Sequence, residues 1–158
     1  IKIQQADITR AEDMESAAAG GPFDSAFCVN VLEHIEDHVG ALRRFYSVLK
    51  PGGRVIILVP NDPALFSGVD RTLGHVRRYT PETLRATMQE AGFHVEACWG
   101  FNRVGGFGWR VSGKILRKTT LSAGQMRLFE WLMPIVRLAE RIPFHTHNSL
   151  IIVGVKPK

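Results

Sequence analysis

Cysteine is nearly absent: Cys28 and Cys98 are the only two in 158 residues. Two thiols are too few for a disulfide scaffold, so a packed core must hold the fold. Free thiols also point to a reducing, cytoplasmic setting. No apolar run approaches the ~18 residues of a membrane span. The longest, Val55-Ile56-Ile57-Leu58-Val59, has the length of a strand. There is no signal-peptide pattern, internal repeat or low-complexity segment. Position 1 is Ile rather than Met, and the opening eight residues already read as a strand. The chain is therefore expected to be a piece of a longer protein. With 45% hydrophobic and 22% charged residues, disorder, collagen and coiled coil are excluded. A single domain is expected from the length, able to bury roughly 70% of its unfolded surface.

Acids are scarce in the last third. Residues 101–158 hold 10 Lys/Arg against 2 Asp/Glu, a net of +8, whereas residues 1–100 hold 10 against 13, a net of −3. A basic region of this kind either serves an anionic partner (nucleic acid, lipid or a phosphorylated substrate) or is a solvated face.

Ile1 to Ile8 alternates like a strand ending at Asp7, and Phe23 to Val31 reads as a short buried strand. A helical turn is expected near Ala11–Ala18. Over residues 37–50, Val39, Leu42, Phe45, Tyr46 and Leu49 recur at helical spacing. Pro51-Gly52-Gly53 stops that helix. Arg54 to Pro60 is an unbroken apolar strand of the kind covered on both faces. Residues 61–80 form a long loop with at most a short helix, and such a loop is usually functional. Thr80 caps the next helix, with Pro81 at its first position and Gly92 at its end. Phe93 to Phe101 is a strand. Residues 102–121 are glycine-rich and basic, and a long, mostly apolar helix runs from Ser122 to about Ile142. Ser149 to Val155 is the last strand. Strands alternating with helices predict an α/β sheet with helices on both faces. The expected organisation is one partial domain: core 1–100, basic helical cap 101–148 and final strand 149–158.

In open parallel sheets, ligands bind beyond the carboxyl ends of the strands. Those ends supply Asp7, the run Asn30-Val31-Leu32-Glu33-His34, and Asn61-Asp62. The loop after the third adds Asp70, His75, Arg77, Arg78 and Tyr79. His75 is a candidate for proton transfer near neutral pH. Arg77 and Arg78 suit a carboxylate or phosphate, or one of them pairs with Asp62 or Asp70 and holds the loop shut. Tyr79 is placed to close over a ligand. His34 is either a base or, with Glu33, a brace for the following helix. Cys28 and Cys98 read as core thiols.

The run Phe23-Asp24-Ser25-Ala26-Phe27-Cys28-Val29-Asn30-Val31-Leu32-Glu33-His34-Ile35, followed by Leu49-Lys50-Pro51-Gly52-Gly53-Arg54, resembles the class I S-adenosylmethionine-dependent methyltransferases. The similarity is greatest to the branch of ubiquinone-type and related small-molecule enzymes. Gly74-His75-Val76-Arg77-Arg78-Tyr79-Thr80 fits a subgroup. The resemblance implies a Rossmann-like three-layer sheet, represented here by its later strands, with the last one antiparallel. It implies S-adenosyl-L-methionine as cofactor. Asp7 would accept from the adenine amino group and Ile8 would offer a backbone donor; otherwise Asp7 is a loop cap. Asn30 and Val31 would lie against the methionine part, unless Asn30 is only a turn residue. His75 and His34 are the catalytic candidates, and Arg77, Arg78 and Tyr79 the substrate-binding ones. The family's acidic residue and Gly-x-Gly loop, and its first two strands, are not in this sequence. Some members hold a divalent ion with Glu-x-x-Glu-His; Asn30 stands at the first of those positions, so no metal is expected.

The expected function is methyl transfer to a small-molecule, lipid-linked or saccharide acceptor. Trp109, Lys114, Arg117 and Lys118 would meet anionic headgroups, and residues 122–142 would form a homodimer face. Two other readings stand beside it. One is a non-catalytic methyltransferase-like scaffold. The other is nucleic-acid methylation, which the lack of an RNA-binding motif or an Asn-Pro-Pro-Tyr-like signature argues against.

Overall fold

The computed structural model describes residues 5–102 and 147–158, together with Gly124, Arg127, Glu130, Trp131 and Pro134. The expectations for Trp109, Lys114, Arg117 and Lys118, and for most of the 122–142 face, lie outside these residues. So do residues 1–4 of the first expected strand. Its remainder, residues 5–8, is irregular chain leading into a turn.

Among the described residues the elements run in this order: α1 (Ala11–Ala17), β1 (Phe23–Val29), a 3-10 turn (Leu32–His34), α2 (His38–Val48), β2 (Leu49–Pro60), a second 3-10 turn (Pro63–Leu65), α3 (Gly68–Thr72), α4 (Pro81–Glu90), β3 (His94–Phe101) and β4 (Ser149–Val155). The boundaries follow local chemistry. Asp37 caps α2 by accepting from the Gly40 N–H at 2.9 Å. Thr80 caps α4 by accepting from the Thr83 N–H at 3.2 Å, and Pro81 opens the helix. Gly92, at φ 97°, reverses the chain into β3, a conformation that costs a glycine little.

The sheet order is β1-β2-β4-β3. β1 and β2 are parallel, joined through α2, while β4 runs antiparallel to both β2 and β3. Val55, Ile57 and Val59 of β2 and Leu150 and Ile152 of β4 point into one core with Leu42 of α2 and Leu84 and Met88 of α4. Burying such side chains is worth about 1.5–3 kcal/mol each. The opposite sheet face is less covered than the unbroken run of β2 suggests. Ile56 and Leu58 are half-buried there, and Phe27 on β1 is 68% exposed.

Residues 61–80 are more ordered than their polar, glycine-containing composition suggests. They hold a 3-10 turn and α3, with Leu65, Val69 and Asp70 buried. Backbone bonds lace this segment to the sheet: Asp62 N–H to Tyr79 O at 2.9 Å, Tyr79 N–H to Pro60 O at 3.0 Å, and Asn61 N–H to Asn148 O at 2.7 Å. Because β1 and β2 are parallel, Asn30 and Asn61 leave the sheet at the same edge. The segment folds back there and carries its side chains to that edge. Among the described residues, no helix is long and apolar enough to cross a membrane.

Candidate functional site

The expected cofactor contacts come from two places in the chain: Asn30 and Val31 follow β1, and Asp7 and Ile8 precede α1. Asn30 is exposed in the left-handed region at φ 51°, and its N–H donates to Leu58 O at 2.9 Å. A short polar side chain tolerates that conformation. Val31 beside it is 40% exposed, unusual for an apolar side chain next to a buried turn. Asp7 is exposed, and its Oδ1 accepts from the Thr9 N–H at 2.8 Å and the Thr9 hydroxyl at 2.7 Å. Those two bonds hold its carboxyl below the usual carboxylate range. Ile8 is half-buried against the core.

A second group surrounds His75. His75 Nδ1 lies 2.9 Å from Asp70 Oδ1, and its Nε2 lies 3.9 Å from Glu33 Oε1. His34 sits edge-on to the same ring, with centroids 4.8 Å apart. The His34 Nδ1–H donates to Gly74 O at 3.1 Å. Backbone bonds fix this arrangement: His75 N–H to Asp70 O and Val76 N–H to Glu33 O, both 2.9 Å. His75 is mostly enclosed, whereas His34 is exposed.

The flanking residues take structural partners. Arg78 is buried; its Nε donates to Asp70 Oδ1 at 2.8 Å and its Nη1 to Asn61 O at 2.9 Å. Of the two roles open to Arg78, pairing with an acid that closes the loop is the one realised, in place of substrate contact. Tyr79 is likewise core rather than a cover: its hydroxyl is 2.9 Å from His38 Nδ1 and donates weakly to Leu32 O. Burial pushes that phenol up to about 12, and burial together with the Arg77 charge holds His38 down. Arg77 is half-buried and donates to Ile35 O and Glu36 O. It thereby ties the loop to the chain just after His34.

The two acids beside His75 differ sharply. Burial alone would raise Asp70, but hydrogen bonds from Arg78 and His75 outweigh it and hold the carboxyl below its ordinary value. Glu33 is fully buried and neither of its carboxylate oxygens has a hydrogen-bond partner among the described residues. Burial dominates there and raises it. The sign of its effect on stability follows. Between its ordinary 4.5 and the raised folded value, the folded state binds more protons, so stability falls as pH rises. Glu33→Gln cannot titrate, so its melting temperature should gain on wild type as pH climbs above about 5. A difference that stays flat with pH in parallel thermal melts would mean that Glu33 titrates alike in both states.

Glu33, His34 and His75 also bring one donor atom each within 4.8 Å of one another. They are the described residues that could share a cation. The isolation of Glu33 is not visible in the sequence, and Asp70 stands there as a loop acid open to pairing with an Arg rather than as the partner of His75. The pattern Ser67-x-x-Asp70 is a helix-start signal and does foretell Asp70's other bonds, its Oδ2 accepting from Ser67 N–H at 2.9 Å and Ser67 Oγ at 3.1 Å.

The chain is similar to known proteins in both sequence and fold. A family model for a methyltransferase domain matches residues 2–97. The ubiquinone biosynthesis O-methyltransferase of Xanthomonas axonopodis pv. citri is 38% identical over 102 residues, covering 55% of this chain and 43% of the relative. The chain thus spans less than half the length of that relative. Among solved structures, a SAM dependent methyltransferase from Archaeoglobus fulgidus has a TM-score of 0.57 at 19% identity, covering 99% of this chain and 68% of the other. The phosphoethanolamine N-methyltransferase 2 of Haemonchus contortus, solved with S-adenosyl-L-methionine, has a TM-score of 0.51 at 20% identity, covering 86% and 34%. These structural likenesses show the fold. With more than half of its residues matched by the family model, the chain belongs to the methyltransferase domain family.

Proposed function

We propose that the full-length protein transfers a methyl group from S-adenosyl-L-methionine to a hydroxyl of a small-molecule acceptor. The observation that carries this reading is His75, mostly enclosed and bonded to Asp70 through Nδ1, at the strand-end edge where this fold binds ligands. The O-methyltransferase name of the Xanthomonas relative supports a hydroxyl acceptor.

The residues present fit the cofactor. Asp7 offers an exposed carboxylate suited to an exocyclic amino group, and Asn30 and Val31 offer a polar and an apolar surface at the end of β1. Bound there, S-adenosyl-L-methionine supplies a methyl group already activated on a sulfonium. The chain's own task is then to place the acceptor and take its proton. His75 Nε2 accepts the hydroxyl proton, and Asp70, bonded to Nδ1, stabilises the resulting imidazolium. His34 supports the turn at Gly74 that carries His75. Arg77 fixes the same loop from its other side. Lipid-linked and saccharide acceptors belong to the same reading. The basic region 101–148 is assigned to acceptor or anionic-headgroup contact, supported by its charge and by Trp131, 78% exposed.

Incubating the full-length protein with S-adenosyl-L-methionine and a panel of phenols, polyols and amines tests this. The expected product is a methyl ether, with S-adenosylhomocysteine raising the melting temperature. Methylation of amines alone would replace the hydroxyl assignment. No heat and no thermal protection with S-adenosylhomocysteine would favour the scaffold reading.

A further inference from the structure

We propose that Asp70 is a positioning residue that fixes His75 as its Nδ1–H tautomer and turns the Nε2 lone pair toward Glu33 and His34. The catalytic consequence rests on the function proposed above; the tautomer stands on the local geometry alone.

Asp70 is fully buried and surrounded by donors. Arg78 Nε reaches its Oδ1 at 2.8 Å, and Ser67 N–H and Oγ reach its Oδ2 at 2.9 and 3.1 Å. A carboxylate held by an Arg and two further donors is ionised and can only accept. The nitrogen 2.9 Å from Oδ1 must then carry hydrogen, which assigns the proton to Nδ1. In a neutral imidazole the other nitrogen is a lone pair. Nε2 points the opposite way, 3.9 Å from Glu33 Oε1.

The other side of the ring is built to match. No described donor reaches the Glu33 oxygens, and the side chain is sealed from solvent. An ionised Glu33 would face a lone pair across that gap and repel it. A protonated Glu33 removes that repulsion and, at 3.9 Å, leaves the lone pair unbonded for an acceptor hydroxyl. Burial raises Glu33 while hydrogen bonds from Arg78 and His75 hold Asp70 down, so the two acids that flank one imidazole are pushed in opposite directions, a pattern that separates acid from base roles. The backbone holds His75 in place between the two acids, because His75 N–H is bonded to Asp70 O and Val76 N–H to Glu33 O. Each acid is anchored to the chain beside the nitrogen it serves.

Long-range proton–nitrogen spectra of full-length protein labelled with 15N-histidine read the tautomer directly. The His75 signals are identified by their loss in His75→Gln. Wild type is expected to show a protonated Nδ1 and an unprotonated Nε2. Asp70→Asn removes the charge that holds the proton on Nδ1, so the Nδ1–H tautomer should lose population to the Nε2–H tautomer. The acceptor KM should stay within about threefold while kcat falls by up to about 10⁴-fold, as when the orienting acid of a catalytic triad is made an amide. A protonated Nε2 in wild type overturns the proposal, as does unchanged kcat with Nδ1 still protonated in Asp70→Asn. Should Asp70→Asn fail to fold, the wild-type spectrum by itself still supports or overturns the tautomer. Joint displacement of the His34 and His75 signals by added Mg²⁺ or Zn²⁺ would put a cation where the lone pair is assigned, and also overturns it. Full activity of His75→Gln with the wild-type tautomer as expected would remove the base role while leaving the assignment of the proton intact.

Discussion

His75→Ala in the full-length protein is expected to lower kcat/KM for methyl transfer by about 10²–10⁴-fold, the usual contribution of a positioned general base. The loss should depend on the acceptor. A hydroxyl of low pKa is already partly ionised and needs no base, so for an acidic phenol the loss should shrink toward unity. For an alkyl hydroxyl it should be largest. Stability should change less. Asp70 keeps its bonds to Arg78 and Ser67 when the imidazole is removed, so the cost is close to one hydrogen bond to a charged group, about 1.5–3 kcal/mol. Initial rates across a series of acceptors of graded acidity, with melts in parallel, check both parts. An equal loss for every acceptor would assign His75 to binding rather than to proton removal.

Much of the fold is legible in the sequence because local signals agree with one another. The 3.6-residue pattern of α2 coincides with the Asp37 cap, and that of α4 with Thr80-Pro81 and Gly92. The antiparallel final strand comes from the resemblance alone; Ser149 to Val155 pairs antiparallel with β2 and β3. Residues 61–80 are harder. Their composition reads as loop, and what orders them is long-range: Asn61 meets Asn148, and Arg78 reaches Asn61 and Asp70. Pattern at short spacing cannot show such pairs.

The site divides in the same way. His75 and His34 stand out in the sequence as chemically able residues near a strand end, and the fold brings their rings together. The partners that define their roles are not legible there. Asp70 and His75 meet because the turn at Gly74, φ 79°, folds the segment back on α3. Glu33 meets His75 because two backbone elements distant in sequence are clamped together at Val76. Arg78 looks like a ligand for anions and is instead sealed inside. The sequence leaves two roles open to this guanidinium, anion binding or pairing with Asp62 or Asp70, and the fold pairs it with Asp70.

That burial sets the largest stability effect. Arg78→Met should cost about 3–5 kcal/mol at pH 7, the range for removing one partner of a buried ion pair. The methionine fills much of the volume, so the cost comes from the charge left on Asp70. Its pH dependence identifies the cause. In wild type the Asp70 carboxyl is held below its ordinary 3.8, so the stability it contributes is present above that value and is lost as pH falls through the lower folded one. In Arg78→Met the strongest opposing bond is gone and burial acts with less restraint, so Asp70 should take up a proton at higher pH. Its uncompensated charge then disappears on acidification. The gap between wild type and Arg78→Met should therefore narrow as pH falls from about 7 to about 4, even though both proteins lose stability from other carboxylates. Asp70→Asn combined with Arg78→Met removes both charges and should be more stable at pH 7 than Arg78→Met alone. Urea melts of the three proteins at both pH values measure each difference. A cost for Arg78→Met under about 1 kcal/mol at pH 7, the scale of a surface pair, would mean that water reaches Asp70 and that the acid beside His75 is not held by burial at all.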